Sequence, residues 1–107
     1  MNHPLFCATV LYPNEESVAF DFELYSKKLI PEYAALLGEN CVKFEIRKGL
    51  ASPGTPLPHF ICTASFWIVS AEKFAAAMGT AEMNELMKRI GTFIDIQPIR
   101  QFDAIIP

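Results

Sequence analysis

Basic charge is in short supply in this chain. Nine Lys and Arg stand against twelve Asp and Glu, a formal net charge of −3 over 107 residues. Nucleic-acid binders normally carry a basic face, so no nucleic-acid partner is expected. Long apolar runs are also missing. None approaches the roughly 18 residues that cross a bilayer, and no membrane partner is expected. Met1-Asn2-His3-Pro4 offers neither the positive n-region nor the apolar h-region of a signal peptide. A cytoplasmic protein is the expectation. Cysteine is scarce too. Cys7, Cys41 and Cys62 are odd in number and far apart, with no C-x-x-C, which argues against a zinc or redox framework. Two of them lie in apolar, strand-like runs, where a free thiol behaves as a small buried hydrophobe. There is no H-E-x-x-H, G-x-G-x-x-G, Walker or G-x-S-x-G sequence. Metal, nucleotide and serine-hydrolase chemistry therefore have no support, and no cofactor is expected.

What the chain does contain is a core. About half of it is apolar (51%) and a fifth charged, the composition of a compact globular protein. Residues 1–107 are expected to form one domain, just large enough to bury a real interior.

Apolar residues 5–12 read as a buried strand ended by Pro13-Asn14. From Phe20 to Gly38 the pattern turns helical. Asp21 suits an N-cap and Glu23 the positive end of the dipole. Phe22, Tyr25, Leu29, Tyr33 and Leu36 fall on one broad face. Pro31 is expected to bend or split the helix after Ile30, and Gly38 to end it. Cys41 to Lys48 alternates as a strand with one apolar and one polar face. Residues 49–58 hold three prolines and two glycines, which predicts a loop without regular structure. Phe60 to Val69 is the strongest strand, expected to be central and buried on both faces. Ser70 should cap a helix reaching about Met78, where Gly79 breaks it. A further helix is expected from Glu82 to Arg89. A last strand is expected from about Ile96 to Ile105, with Pro98 at an edge, a bulge or the strand start.

The order is β-α-β-β-α-β, a ferredoxin-like α+β fold with a four-stranded antiparallel sheet. Both helices on one face leave the other face open. An apolar face left open calls for a partner sheet, so a homodimer packed sheet to sheet is expected.

Leu11-Tyr12-Pro13, the helix from Phe20 to Gly38, Arg47-Lys48-Gly49-Leu50-Ala51 with the Pro/Gly loop, Phe66 to Phe74, and Phe93-Ile94-Asp95-Ile96-Gln97-Pro98 together resemble the EthD-like family of the dimeric α+β barrel superfamily. The resemblance spans nearly the whole chain. It implies a pocket between sheet and helices, and an association with catabolism of hydrophobic, cyclic or aromatic metabolites. The family helix carries a tyrosine, a histidine four residues on, and a proline two further. Here Tyr25 and Pro31 hold their places, and Leu29 stands where the histidine would be.

Leucine moves no proton and binds no metal, whereas a pocket histidine titrates near neutrality. Two readings follow. One is a binding protein that holds a small hydrophobic molecule, or assists a partner oxygenase. The alternative is a cofactor-free oxidoreductase or isomerase. Tyr25, Leu29, Tyr33 and Trp67 are the expected ligand-binding residues. Tyr25 can orient a ligand oxygen or simply pack helix on sheet. Trp67 can stack on a ligand or serve as core. Tyr25, His59 and Asp95 are the candidates for handling a proton. His59 follows Pro58 at a loop end, and Asp95 equally suits capping a turn. Lys43, Glu45 and Arg47 lie two apart on one strand face, expected as a charged lining at the dimer face or barrel interior.

Overall fold

The computed structural model describes residues 4–15 and 17–106; the opening Met1–His3 lies outside the described residues. β1 (Phe6–Pro13) leads to α1 (Phe22–Leu24), which runs through a π turn (Tyr25–Leu29) into α2 (Ile30–Leu37). β2 (Cys41–Lys48) and β3 (Phe60–Ile68) follow, then α3 (Ala71–Met78), α4 (Ala81–Phe93) and β4 (Ile99–Ala104). The sheet order is β2-β3-β1-β4, and all neighbours are antiparallel. This is the ferredoxin-like α+β arrangement expected, with β3 and β1 central.

The long helix starts where its cap says. Asp21 Oδ1 accepts the Leu24 N–H at 3.0 Å, satisfying a donor that the first turn leaves orphaned. Pro31 does not break the helix; the chain widens ahead of it. The Ile30 N–H donates to the Tyr25 carbonyl, five residues back. In an α-helix the Pro31 ring would run into the carbonyl of Lys27, and the wider π turn relieves that clash. Gly38, at φ +64°, then stops α2 in the left-handed conformation that glycine tolerates. Glu32 and Arg89 form an ion pair that ties α2 to α4; it holds the Glu32 carboxyl below its usual range.

Other expectations moved. α4 runs through Gly91 to Phe93 instead of stopping near Arg89, so β4 begins at Ile99, not Ile96. Ile94 and Ile96 are buried in the link between them. Pro98 stands just ahead of the strand, at the edge of the sheet. In the 49–58 loop, Ser52 and Thr55 exchange two backbone hydrogen bonds of 2.9 Å around Pro53-Gly54. Gly49 opens the loop because a Cβ there would lie 2.0 Å from the Phe60 carbonyl oxygen.

Pairing register sorts the side chains. Ala8, Val10 and Tyr12 of β1 share a face with Ala64, Phe66 and Ile68 of β3, and the helices cover it. Tyr25, Leu29, Met83 and Leu86 complete this dry layer. On the open face stand Cys7, Thr9, Thr63, Ser65 and Trp67. Lys43, Glu45 and Arg47 share it too: Lys43 Nζ lies 4.7 Å over the Trp67 ring, and Arg47 donates to Glu45 at 2.7 Å. The open face is therefore mixed, not apolar as expected, and β3 is fully buried on one face only.

Candidate functional site

Three tyrosines from three elements converge under the helices. Tyr12 ends the inward row of β1, Tyr25 begins the π turn, and Tyr33 sits one turn into α2. All are buried. Because Tyr25 and Tyr33 straddle the widened turn, both point at the sheet. The Tyr12 and Tyr25 rings meet edge to face at 5.4 Å, and Phe20 packs on both at 5.1 and 5.0 Å. Tyr33 leans on Phe66 at 4.7 Å. These offset and T-shaped arrangements suit the aromatic quadrupoles.

A chamber of about 20 Å³ remains between Tyr12, Tyr25, Tyr33, Phe66, Ile90 and Arg100, room for one water molecule. Tyr12, Met87, Ile90 and Arg100 also line a second, outer cavity. This groove of about 380 Å³ runs between α4 and β4, walled by Ile94 and Ile96, with Asp95 at its rim. Its size falls in the range of small-molecule sites.

Burial pushes all three phenols upward. Tyr33 reaches about 12, although Arg100 pulls it back. Tyr25 rises further, through burial, the neighbouring Tyr12, and donation of its hydroxyl to Tyr12. Tyr12 rises less, because Tyr25 and Arg100 favour its charged form. At neutral pH the three are protonated. The Tyr33 O–H is donated to Met78 Sδ and that of Tyr25 to Tyr12, which leaves the Tyr12 O–H to meet a ligand oxygen, and none of the three can act as a base.

Of the residues expected at the site, Tyr25 and Tyr33 line the inner chamber. Leu29 is 1% exposed and packed in the core; it walls neither cavity. Trp67 lies on the opposite face of the sheet, so within one subunit it cannot share a ligand with Tyr25. Asp95 lies on the groove wall, with no side-chain hydrogen bond among the described residues to make it a cap. His59 is exposed at the loop end, where its carbonyl accepts the Asn14 N–H at 3.0 Å; it borders neither cavity. Tyr12, Met87 and Arg100 had not been anticipated. The alternation Phe6-Ala8-Val10-Tyr12 could have flagged Tyr12. Arg100 shares its strand face with Phe102, a hint that it faces the helix layer.

A second groove, of about 700 Å³, lies between α3 and β4. Phe6, Ala71, Phe74, Ala75, Met78 and Phe102 supply most of its wall. It is larger, but none of its side chains carries a nitrogen or oxygen. It can cover an apolar surface but cannot orient a ligand. Among the described residues no cluster of His, Cys, Asp and Glu could hold a metal, and no helix is long and apolar enough to cross a membrane. The cysteines are free; burial pushes the Cys62 thiol to about 12.

No protein-family model matches the chain, and no curated protein matches it. Solved structures do. An EthD-like protein from Ralstonia eutropha JMP134 superposes with a TM-score of 0.87 at 32% identity, covering 97% of this chain and 94% of that one. An ethyl tert-butyl ether D (EthD) family protein from Bacillus halodurans C-125 gives 0.66 at 15% identity, covering 95% and 99%. A dimeric ferredoxin-like protein from Thermobifida fusca YX gives 0.60 at 9% identity, covering 98% and 95%. The last two share the fold. The first is similar enough, over nearly its whole length, to show kinship: the chain belongs to the EthD-like family.

Proposed function

We propose that this protein binds a small hydrophobic molecule, cyclic or aromatic, in the groove between α4 and β4, and does so without turning it over. The observation that carries this reading is the groove itself. Its lining sets Met87, Ile90, Ile94 and Ile96 beside polar groups, among them Tyr12 and Arg100, which also border the inner chamber. Leu29 argues against catalysis. At the helix position where the family resemblance places a histidine stands a buried leucine, and the phenols nearby are held protonated. A bound molecule thus meets hydrogen-bond donors and no proton acceptor beyond the rim carboxylate of Asp95. Such a protein would store its ligand or pass it to a partner oxygenase.

The active form in this reading is a homodimer packed through the open sheet faces. Likeness to a dimeric ferredoxin-like protein supports it. So does the charge pattern, with Lys43 and Arg47 on one edge strand and Asp103 on the other, able to meet across a two-fold axis. Native mass spectrometry tests the assembly, and a monomer at micromolar concentration would remove it.

Ligand binding is tested by Gly91→Trp. Gly91 lies on the groove wall in α4, and a Cβ there meets nothing within 4 Å. The indole should fill the groove without disturbing the fold. Binding of 2-naphthalenemethanol, followed by calorimetry, should be lost in Gly91→Trp and kept in Phe102→Gln. Undiminished binding in Gly91→Trp would place the site elsewhere.

A further inference from the structure

Arg100 sets the chemistry of one end of the ligand. Its register opposite Val10 turns it to the helix-covered face, where it borders both the outer groove and the inner chamber. Among the described residues the ion pairs are Lys27–Glu23, Lys43–Glu45, Arg47–Glu45 and Arg89–Glu32. Arg100 is in none of them. The carboxylate that shares its groove, Asp95, makes no ion pair with it. A permanent cation therefore stands exposed at the mouth of the groove, paired with no carboxylate among the described residues. The Tyr12 hydroxyl, buried and protonated, adds a neutral donor on the same wall.

We infer that the ligand is a monoanion, an apolar one- or two-ring body whose single anionic oxygen group is received by Arg100 with Tyr12 as a further donor. This rests on the groove being the binding site. A guanidinium matches a carboxylate in two parallel hydrogen bonds, and charge-assisted bonds of this kind outweigh those to a neutral hydroxyl. Ile90, Ile94, Ile96 and Met87 offer apolar contact to the ring body. Asp95 at the rim disfavours a second negative charge, which excludes dicarboxylates and phosphate esters as good ligands. Ionised carboxylic acids and acidic phenols or enols share the required chemistry.

The test uses three probes of one skeleton, 2-naphthoate, 2-naphthalenemethanol and naphthalene-2,6-dicarboxylate, with calorimetry at neutral pH. The intact protein should bind 2-naphthoate at least about tenfold more tightly than the alcohol, and the dicarboxylate less tightly than the monoanion. Arg100→Gln should erase the preference, bringing naphthoate down to the affinity of the alcohol for the same variant. Arg100→Lys should keep part of it, and 4-nitrophenolate should follow naphthoate if acidic phenols are accepted. Arg100 is exposed at the groove mouth, so its exchange leaves the core intact, which a melting curve verifies. Equal binding of naphthoate and the alcohol by the intact protein would overturn the inference and leave the groove as a site for neutral molecules. Failure of every probe to bind would overturn the groove reading as well.

Discussion

Arg100 and Phe102 stand two residues apart on the same face of β4, and each opens onto its own groove. Around Arg100 the walls combine aliphatic carbon with phenol, guanidinium and carboxylate. Around Phe102 no side chain carries a nitrogen or oxygen, with Phe6 and Phe74 meeting Phe102 at 5.1 and 5.6 Å. Shape alone favours the second, which is the larger. Chemistry favours the first, because a ligand is oriented by a few placed polar groups and not by volume. Tyr33 links the two. Its ring walls the inner chamber while its hydroxyl leans on Met78 Sδ at 3.6 Å, on the wall of the apolar groove.

Removing the aromatic floor of the inner chamber should have the largest effect. Phe66 lies beneath Tyr33 and stacks at 6.3 Å on Phe44. Phe66→Ala should cost about 3–5 kcal/mol, read from urea denaturation. A loss below about 1 kcal/mol would mean that the inner chamber is not closed by a packed wall. The next effect comes from alkali. Buried phenols have folded pKa values above their unfolded value of 10.0. The stability they contribute is complete below pH 10 and is lost as pH rises from 10 through the folded values, for Tyr33 from 10 to about 12. Tyr33 alone accounts for roughly 3 kcal/mol across that window. A spectrophotometric titration at neutral to high pH should show phenolate appearing together with unfolding. Phenolate forming near pH 10 in a still-folded protein would show that the tyrosine side is wet.

A smaller effect is expected at the helix start. Asp21→Ala should lower stability by about 1 kcal/mol and loosen Phe20 and Phe22, on the tyrosine side of the molecule. If the alcohol probe binds unchanged, that aromatic flank does not shape the groove. The smallest concerns the apolar groove. Phe102 is 64% exposed, so Phe102→Gln should change stability by less than about 0.5 kcal/mol while reducing binding of an apolar dye. A dye signal that falls instead with Arg100→Gln would reverse the assignment of the two grooves.

Much of the fold was legible in the residues. Cys41 to Lys48 alternates strictly enough to give its strand to the residue. Asp21 and Ser70 marked helix starts through the same device, and Ser70 Oγ accepts the Lys73 N–H at 3.2 Å. Gly91 misled the reading of α4, since a glycine inside a helix costs only about 1 kcal/mol and the burial of Ile90 and Ile94 outweighs it. The site was harder to see. Phe60 to Val69 is apolar at nearly every position, so nothing in it tells which residues face the helices, and Trp67 lies away from Tyr25. Arg100 in an edge strand reads as a solvent-facing charge. Only its pairing with Val10 turns it toward the groove, and pairing register is a long-range property. Tyr25 and Tyr33 were visible because helical spacing is local.

The π turn has a consequence for how this sequence can change. It fits one more residue into the space of an ordinary helical turn, between an aromatic segment that reaches from Phe20 to Tyr25 and a proline that the wider ladder accommodates. Shedding a single residue from positions 25 to 29 would close the turn to an ordinary α-helical one and leave both flanks in place. It would also set the Pro31 ring against a carbonyl four residues back, the clash that the wider turn relieves. Length in this segment is thus coupled to the proline, and variants of the protein that lose a residue here should lose Pro31 as well.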